Sequence, residues 1–113
     1  MTPFAIAGVQ MYVNPLHSNV EGMLQRLDVL MLRFPWTQMV LFSELSPFGP
    51  LEKFKLPQQN EVIDKFCEAA RRHKVWLIPG SMFLTHPEDG RIYNTSLVIN
   101  PDGEVIRRYA KMF

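Results

Sequence analysis

A chain of 113 residues, 47% hydrophobic and 20% charged, has the length and apolar content of one ordinary globular domain. Its 12 Lys and Arg against 11 Asp and Glu leave a formal net charge of +1, which offers no electrostatic footprint for nucleic acid or an anionic membrane. A single cysteine, Cys67, excludes an intrachain disulfide and fits a reducing, cytoplasmic setting. Met1-Thr2-Pro3 carries no basic stretch before the first apolar run, and no run is long enough to span a bilayer.

Phe4 to Val9 is a short apolar run that reads as a buried strand, and Asn14-Pro15 breaks it. Ser18 and Glu21 have the spacing of a capping box at a helix start. Val20, Met23, Leu24, Leu27, Leu30, Met31 and Phe34 then form one apolar stripe at helical spacing, which Pro35 stops. Met39 to Phe42 is a second strand-like run, ending in the proline- and glycine-rich loop Ser43 to Pro50. A second helix is expected to begin near Pro57, with Val62, Ile63, Phe66, Cys67 and Ala70 on one face. Its end carries Arg71-Arg72-His73-Lys74, where positive charge suits the helix dipole. Val75 to Ile78 is the third buried run, closed by Pro79-Gly80.

The pattern then changes. Met82 to Leu84 leads into the turn Pro87-Glu88-Asp89-Gly90, and Ile92 to Ile99 is rich in β-formers. Asn100-Pro101-Asp102-Gly103 is a hairpin turn, after which Glu104 onward returns as a last strand reaching Phe113. Parallel strands with right-handed crossovers followed by antiparallel additions predict an α/β fold: a mixed sheet with helices covering one face.

Glu44 is the first candidate for chemistry. It follows four apolar residues at the C-terminal end of a predicted parallel strand, where open α/β sheets place their ligands. A carboxylate drawn into a desolvated cleft there can act as a general base, although an exposed loop acid has the same local pattern. Lys111 falls on the same alternation as Val105, Arg107 and Tyr109, and by itself reads as a solvated edge-strand lysine. Cys67, on a helix stripe, reads as a buried structural thiol. His17, His73 and His86 lack metal-ligand spacing, and no phosphate-binding glycine loop or Gly-x-Ser-x-Gly elbow occurs. Asn94-Thr95-Ser96 matches a glycosylation sequon, which carries no meaning in a chain read as non-secreted.

Taken together, FAIAGVQ, MVLFSELSPFG, VWLIPGSMF and GRIYNTSLVINPDGEVIRRYAKMF, in that order, resemble the nitrilase or carbon–nitrogen hydrolase superfamily. YNTSLVINPDGEVIRRYAKMF is the most specific stretch, since turn, strand and lysine recur together in that family. The resemblance implies a Glu–Lys–Cys triad in which Glu44 is the general base and Lys111 the second member. It implies an α-β-β-α sandwich of which residues 1–113 form the front part. The family's cysteine is expected downstream of Phe113, so the isolated chain is expected to be inactive.

By the same resemblance the parent protein hydrolyses a non-peptide C–N bond, in an amide more than in a nitrile, with neither metal nor organic cofactor. A homo-oligomer, or association with the missing C-terminal half, is the expected assembly. Two alternatives stay open: a non-catalytic association module or truncated gene product, and an acyltransferase of the same superfamily.

Overall fold

The computed structural model describes residues 3–111. Along the chain it places β1 (Ile6–Val9), α1 (Val20–Arg33), β2 (Met39–Phe42), a short 3-10 turn (Glu52–Phe54) and β3 (Leu56–Pro57). Then follow α2 (Glu61–His73), β4 (Trp76–Ile78), β5 (Ser81–Thr85), β6 (Ile92–Ile99) and β7 (Val105–Lys111). β1, β2 and β4 run parallel, with α1 and α2 as their crossovers. β4 and β5 succeed one another through the Pro79-Gly80 bend, and both pair antiparallel with β6. β3 joins β5 in parallel, and β7 takes the opposite edge of β6. The mixed sheet foreseen from the run of patterns is therefore present. The expected last strand reaches Lys111 here; its expected end at Phe113, like Met1 and Thr2, lies outside the described residues.

Both helices lie on one face of the sheet. Val20, Met23 and Leu27 of α1 and Ile63, Phe66, Ala69 and Ala70 of α2 are buried against Val40, Phe42, Leu77, Leu97 and Ile99. Fully burying a side chain such as Phe66 contributes about 1.5–3 kcal/mol, so this layer supplies most of the core. Residues directly opposite across a ladder share a face. The register thus puts Ile6, Met39, Leu41, Trp76, Ile78 and Val98 together on the other side. There they are half-buried, and Ile6 is 60% exposed. β1 was expected to be a buried strand. It is instead a half-exposed edge strand, because among the described residues it has a neighbour on one side only and no layer covers its second face.

Two local expectations are corrected by tertiary contacts. No capping box forms at α1: Glu21 ion-pairs with Lys65 of α2 at 3.2 Å, and Asn19 occupies the cap position without a side-chain cap bond. The Asn19 backbone N–H instead donates to the Pro47 carbonyl at 2.7 Å, tying the start of α1 to the loop after β2. α2 begins at Glu61, not near Pro57. Asn60 caps it by accepting from the Ile63 N–H at 3.0 Å. Pro57 lies in the edge strand β3, a position where the missing proline donor is tolerated.

Candidate active site

Glu44 stands at the C-terminal end of β2, on a loop whose backbone is tied down from several sides. The Leu45 N–H donates to Ser81 Oγ at 3.0 Å, and Ser46 Oγ donates to the Ser43 carbonyl at 2.7 Å. The Gly49 N–H closes the loop on the Leu45 carbonyl at 2.7 Å. Leu45 itself has φ 60, uncommon for a residue with a side chain. Beneath this loop passes the β4–β5 bend. Gly80 has φ +79, and a Cβ there would meet the Ser43 carbonyl oxygen at 2.1 Å. Only glycine allows the bend to pass this close, so the Pro79-Gly80 pair decides where the Glu44 loop rests.

Lys111 reaches the same place from β7. The hairpin turn is held by the Asn100 side chain, whose Oδ1 accepts from the Asp102 and Glu104 N–H groups at 3.0 and 2.9 Å. The ladder then carries an irregularity between Val98 and Ile99. Its effect is to put Val105 opposite Ile99 on the helix-covered side, while Arg107, Tyr109 and Lys111 stand on the open side opposite Val98, Ser96 and Asn94. The simple alternation linking Val105 to Lys111 therefore breaks at the bulge.

The two residues singled out from the sequence meet. Lys111 Nζ donates to Glu44 Oε2 at 3.0 Å across 67 residues of chain. Both side chains are 55% exposed, so the desolvated cleft expected around Glu44 is not formed by these residues alone. An ion pair this open is worth less than about 1 kcal/mol. Its significance is positional. An open depression of about 390 Å³ runs along the C-terminal ends of β1 and β2, lined by Gly8, Val9, Gln10, Leu41, Phe42 and Ser43; it reaches the residue before Glu44, and neither Glu44 nor Lys111 lines it.

Asn94 is the residue that sequence reading passed over. It is 6% exposed and lies directly opposite Lys111, and its Oδ1 is buried with no hydrogen-bond partner among the described residues. Its burial, rather than any inference about location, disposes of the sequon. The signal that could have found it is the hairpin register. Extending the Ile99–Val105 pairing regularly would have set Lys111 opposite Tyr93, and the bulge shifts the partner to Asn94.

Cys67 sits on α2, on the opposite side of the sheet from Glu44 and Lys111, half-buried against the core. Burial pushes its thiol up, and the Asp64 charge adds to this. Such a thiol is a poor nucleophile. Among the described residues no three His, Cys, Asp or Glu side chains group as a metal site, and no helix is long and apolar enough to cross a membrane.

Residues 5–113 match the carbon-nitrogen hydrolase family. The chain belongs to that family. Among relatives, nitrilase homolog 2 of Dictyostelium discoideum is 27% identical over 114 residues, 96% of this chain and 34% of that protein. A formamidase of Helicobacter acinonychis is 25% identical over 122 residues, 97% of this chain and 36% of its own length.

Solved carbon-nitrogen hydrolase folds superpose well. A Saccharomyces cerevisiae protein of branch 10 of the nitrilase superfamily gives a TM-score of 0.73 at 21% identity, covering 89% of this chain and 42% of the other. The carbon-nitrogen hydrolase of Helicobacter pylori G27 gives 0.72 at 23%, covering 95% and 39%. At those identities the likeness establishes the fold, which is the front part of a nitrilase-type sandwich. The chain spans about a third of the length of the curated relatives it matches.

Proposed function

We propose that these 113 residues supply the base-and-cation part of a thiol-dependent hydrolase acting on non-peptide C–N bonds, amides in preference to nitriles. They form a partial carbon-nitrogen hydrolase domain, and the nucleophilic cysteine comes from sequence beyond Phe113. The observation that carries this reading is the 3.0 Å contact between Lys111 Nζ and Glu44 Oε2 at the C-terminal end of a parallel strand. Relatives named formamidase support the preference for amides.

The chemistry follows from the groups. A thiol near its ordinary pKa is mostly protonated at neutral pH, so attack needs a base and gains from a nearby cation. Glu44 takes the thiol proton as sulfur bonds to the carbonyl carbon. The Lys111 ammonium stabilises the oxyanion that forms. As the intermediate collapses the C–N bond breaks, and the proton held by Glu44 passes to the departing nitrogen, leaving a thioester. Glu44 then deprotonates a water that attacks the thioester. Collapse of that second intermediate releases the carboxylic acid, and the sulfur recovers its proton. Cys67 takes no part.

The test uses the longer natural chain that contains this segment, assayed for ammonia release from short aliphatic amides. Glu44→Gln and Lys111→Met are each expected to lower kcat at least about a hundredfold, the usual scale for a lost general base or oxyanion partner. Turnover unaffected by either substitution would defeat the proposal. The isolated 113-residue chain is expected to show no hydrolysis, and turnover lost in Cys67→Ser would overturn the assignment of the nucleophile.

A further inference from the structure

We infer that Asn94 is a positioning residue for Lys111, its carboxamide oxygen forming a second seat for the lysine ammonium; the inference rests on Glu44 and Lys111 being the catalytic pair. The starting observation is the orphaned acceptor. Asn94 Oδ1 is buried and has no partner among the described residues, whereas buried polar groups are nearly always satisfied. An acceptor left empty in one arrangement points to a donor that reaches it in another.

The register names that donor. On the open face Asn94 stands between Phe83 of β5 and Lys111 of β7, each directly opposite it. Side chains so placed have Cβ atoms about 4.5–5.5 Å apart, well within the reach of a lysine stem. Phe83 has no polar side-chain group to offer. The Lys111 ammonium has three N–H donors, of which Glu44 takes one.

Two seats give this pair a function that one seat does not. While Nζ rests on Glu44 Oε2, the ammonium occupies one of the two carboxylate oxygens and stands where a thiol proton would have to arrive. Moving the ammonium toward Asn94 frees the carboxylate for the thiol proton without taking the cation out of the site. A neutral carboxamide suits this role, because it holds the ammonium without neutralising it. A carboxylate at position 94 would trap the lysine.

Lysine-selective 13C and 15N labelling of this chain tests the inference without requiring activity. In Glu44→Ala, Lys111 is expected to keep inequivalent Hε protons and a slowly exchanging ammonium, held on Asn94. Adding Asn94→Leu should collapse both signals to those of a free lysine, with ammonium exchange about tenfold faster, the loss of one ordinary hydrogen bond. Collapse in Glu44→Ala alone would overturn the second seat. Should Asn94→Leu fold poorly, Asn94→Asp serves: the new carboxylate should draw Lys111 off Glu44 and shift the Glu44 carboxyl resonance. An unmoved Glu44 resonance would refute the pairing.

In the longer natural chain Asn94→Asp should lower kcat at least about tenfold with KM unchanged, the mark of an interaction needed only in the transition state. Activity lost in Glu44→Gln without the lysine coupling would sink the role of Asn94 alone. Coupling present beside hydrolysis indifferent to Glu44→Gln would instead overturn the catalytic reading, and with it the purpose of the second seat.

Discussion

Replacing Gly80 with alanine asks whether the Glu44 loop is held by close backbone packing. Two costs add. The residue has φ +79, and a side chain in the left-handed region costs about 1–2 kcal/mol. The new Cβ would also lie 2.1 Å from the Ser43 carbonyl oxygen. A carbon–oxygen contact needs about 3.3–3.6 Å, so two backbone segments must part by about 1.2–1.5 Å. That displacement pulls Leu45 off Ser81, losing a hydrogen bond worth about 1 kcal/mol. The total is about 2–3 kcal/mol. Gly90 provides the control: its φ is +68, but nothing lies within 4 Å of a Cβ there, so Gly90→Ala should incur the backbone cost alone.

Urea unfolding followed by far-UV circular dichroism measures both variants, and their difference isolates the contact with Ser43. In Gly80→Ala the Lys111–Glu44 contact should also loosen. Equal midpoints for the two variants would refute the claim that the bend positions the loop.

Glu44→Gln should change the unfolding free energy by less than about 1 kcal/mol, since the ion pair it breaks is exposed; a larger loss by urea titration would make Glu44 a structural residue. Cys67 should react several-fold more slowly with iodoacetamide at pH 8 in native than in unfolded protein, because burial raises its pKa and lowers the thiolate fraction; equal rates would show the α2 stripe misassigned. Asp28 is held below the ordinary carboxylate range first by its hydrogen bond from His73, at 2.7 Å, and then by Arg72. A depressed folded pKa means stability present above the unfolded value and lost as pH falls toward the folded one. Asp28→Asn should therefore flatten that acid limb in a pH series of urea midpoints, and an unchanged limb would rule the α1–α2 tie out as its source. The half-covered face around Ile6, Leu41, Trp76 and Ile78 should drive association at micromolar concentration; a monomer by light scattering that binds no hydrophobic dye would mean the face is not sticky.

Much of this fold was legible locally. Met39 to Phe42 is a strand because four consecutive apolar residues flanked by polar ones can be buried on both sides of a ladder, and the observed bounds agree. α1 follows its stripe and ends at Arg33, with Phe34 as cap, because a residue before proline is pushed out of helical geometry. The Asn100-to-Gly103 turn folded as its residue types require. These features depend on neighbours a few residues away, which periodicity and turn chemistry report directly.

Tertiary contact decided the rest. Glu21 left its capping box for Lys65, and Pro57 became strand because β5 offered a ladder. β1 is exposed because of its place at the sheet edge, which its own apolar residues do not encode. The site itself lies between these cases. Residue types and the ends of runs marked Glu44 and Lys111, but their 3.0 Å contact joins positions 67 residues apart. One bulged position in the last ladder then determines that Asn94, and not Tyr93, faces the lysine. Local periodicity measures direction along a strand, whereas cross-strand register depends on how the completed sheet accommodates one extra residue.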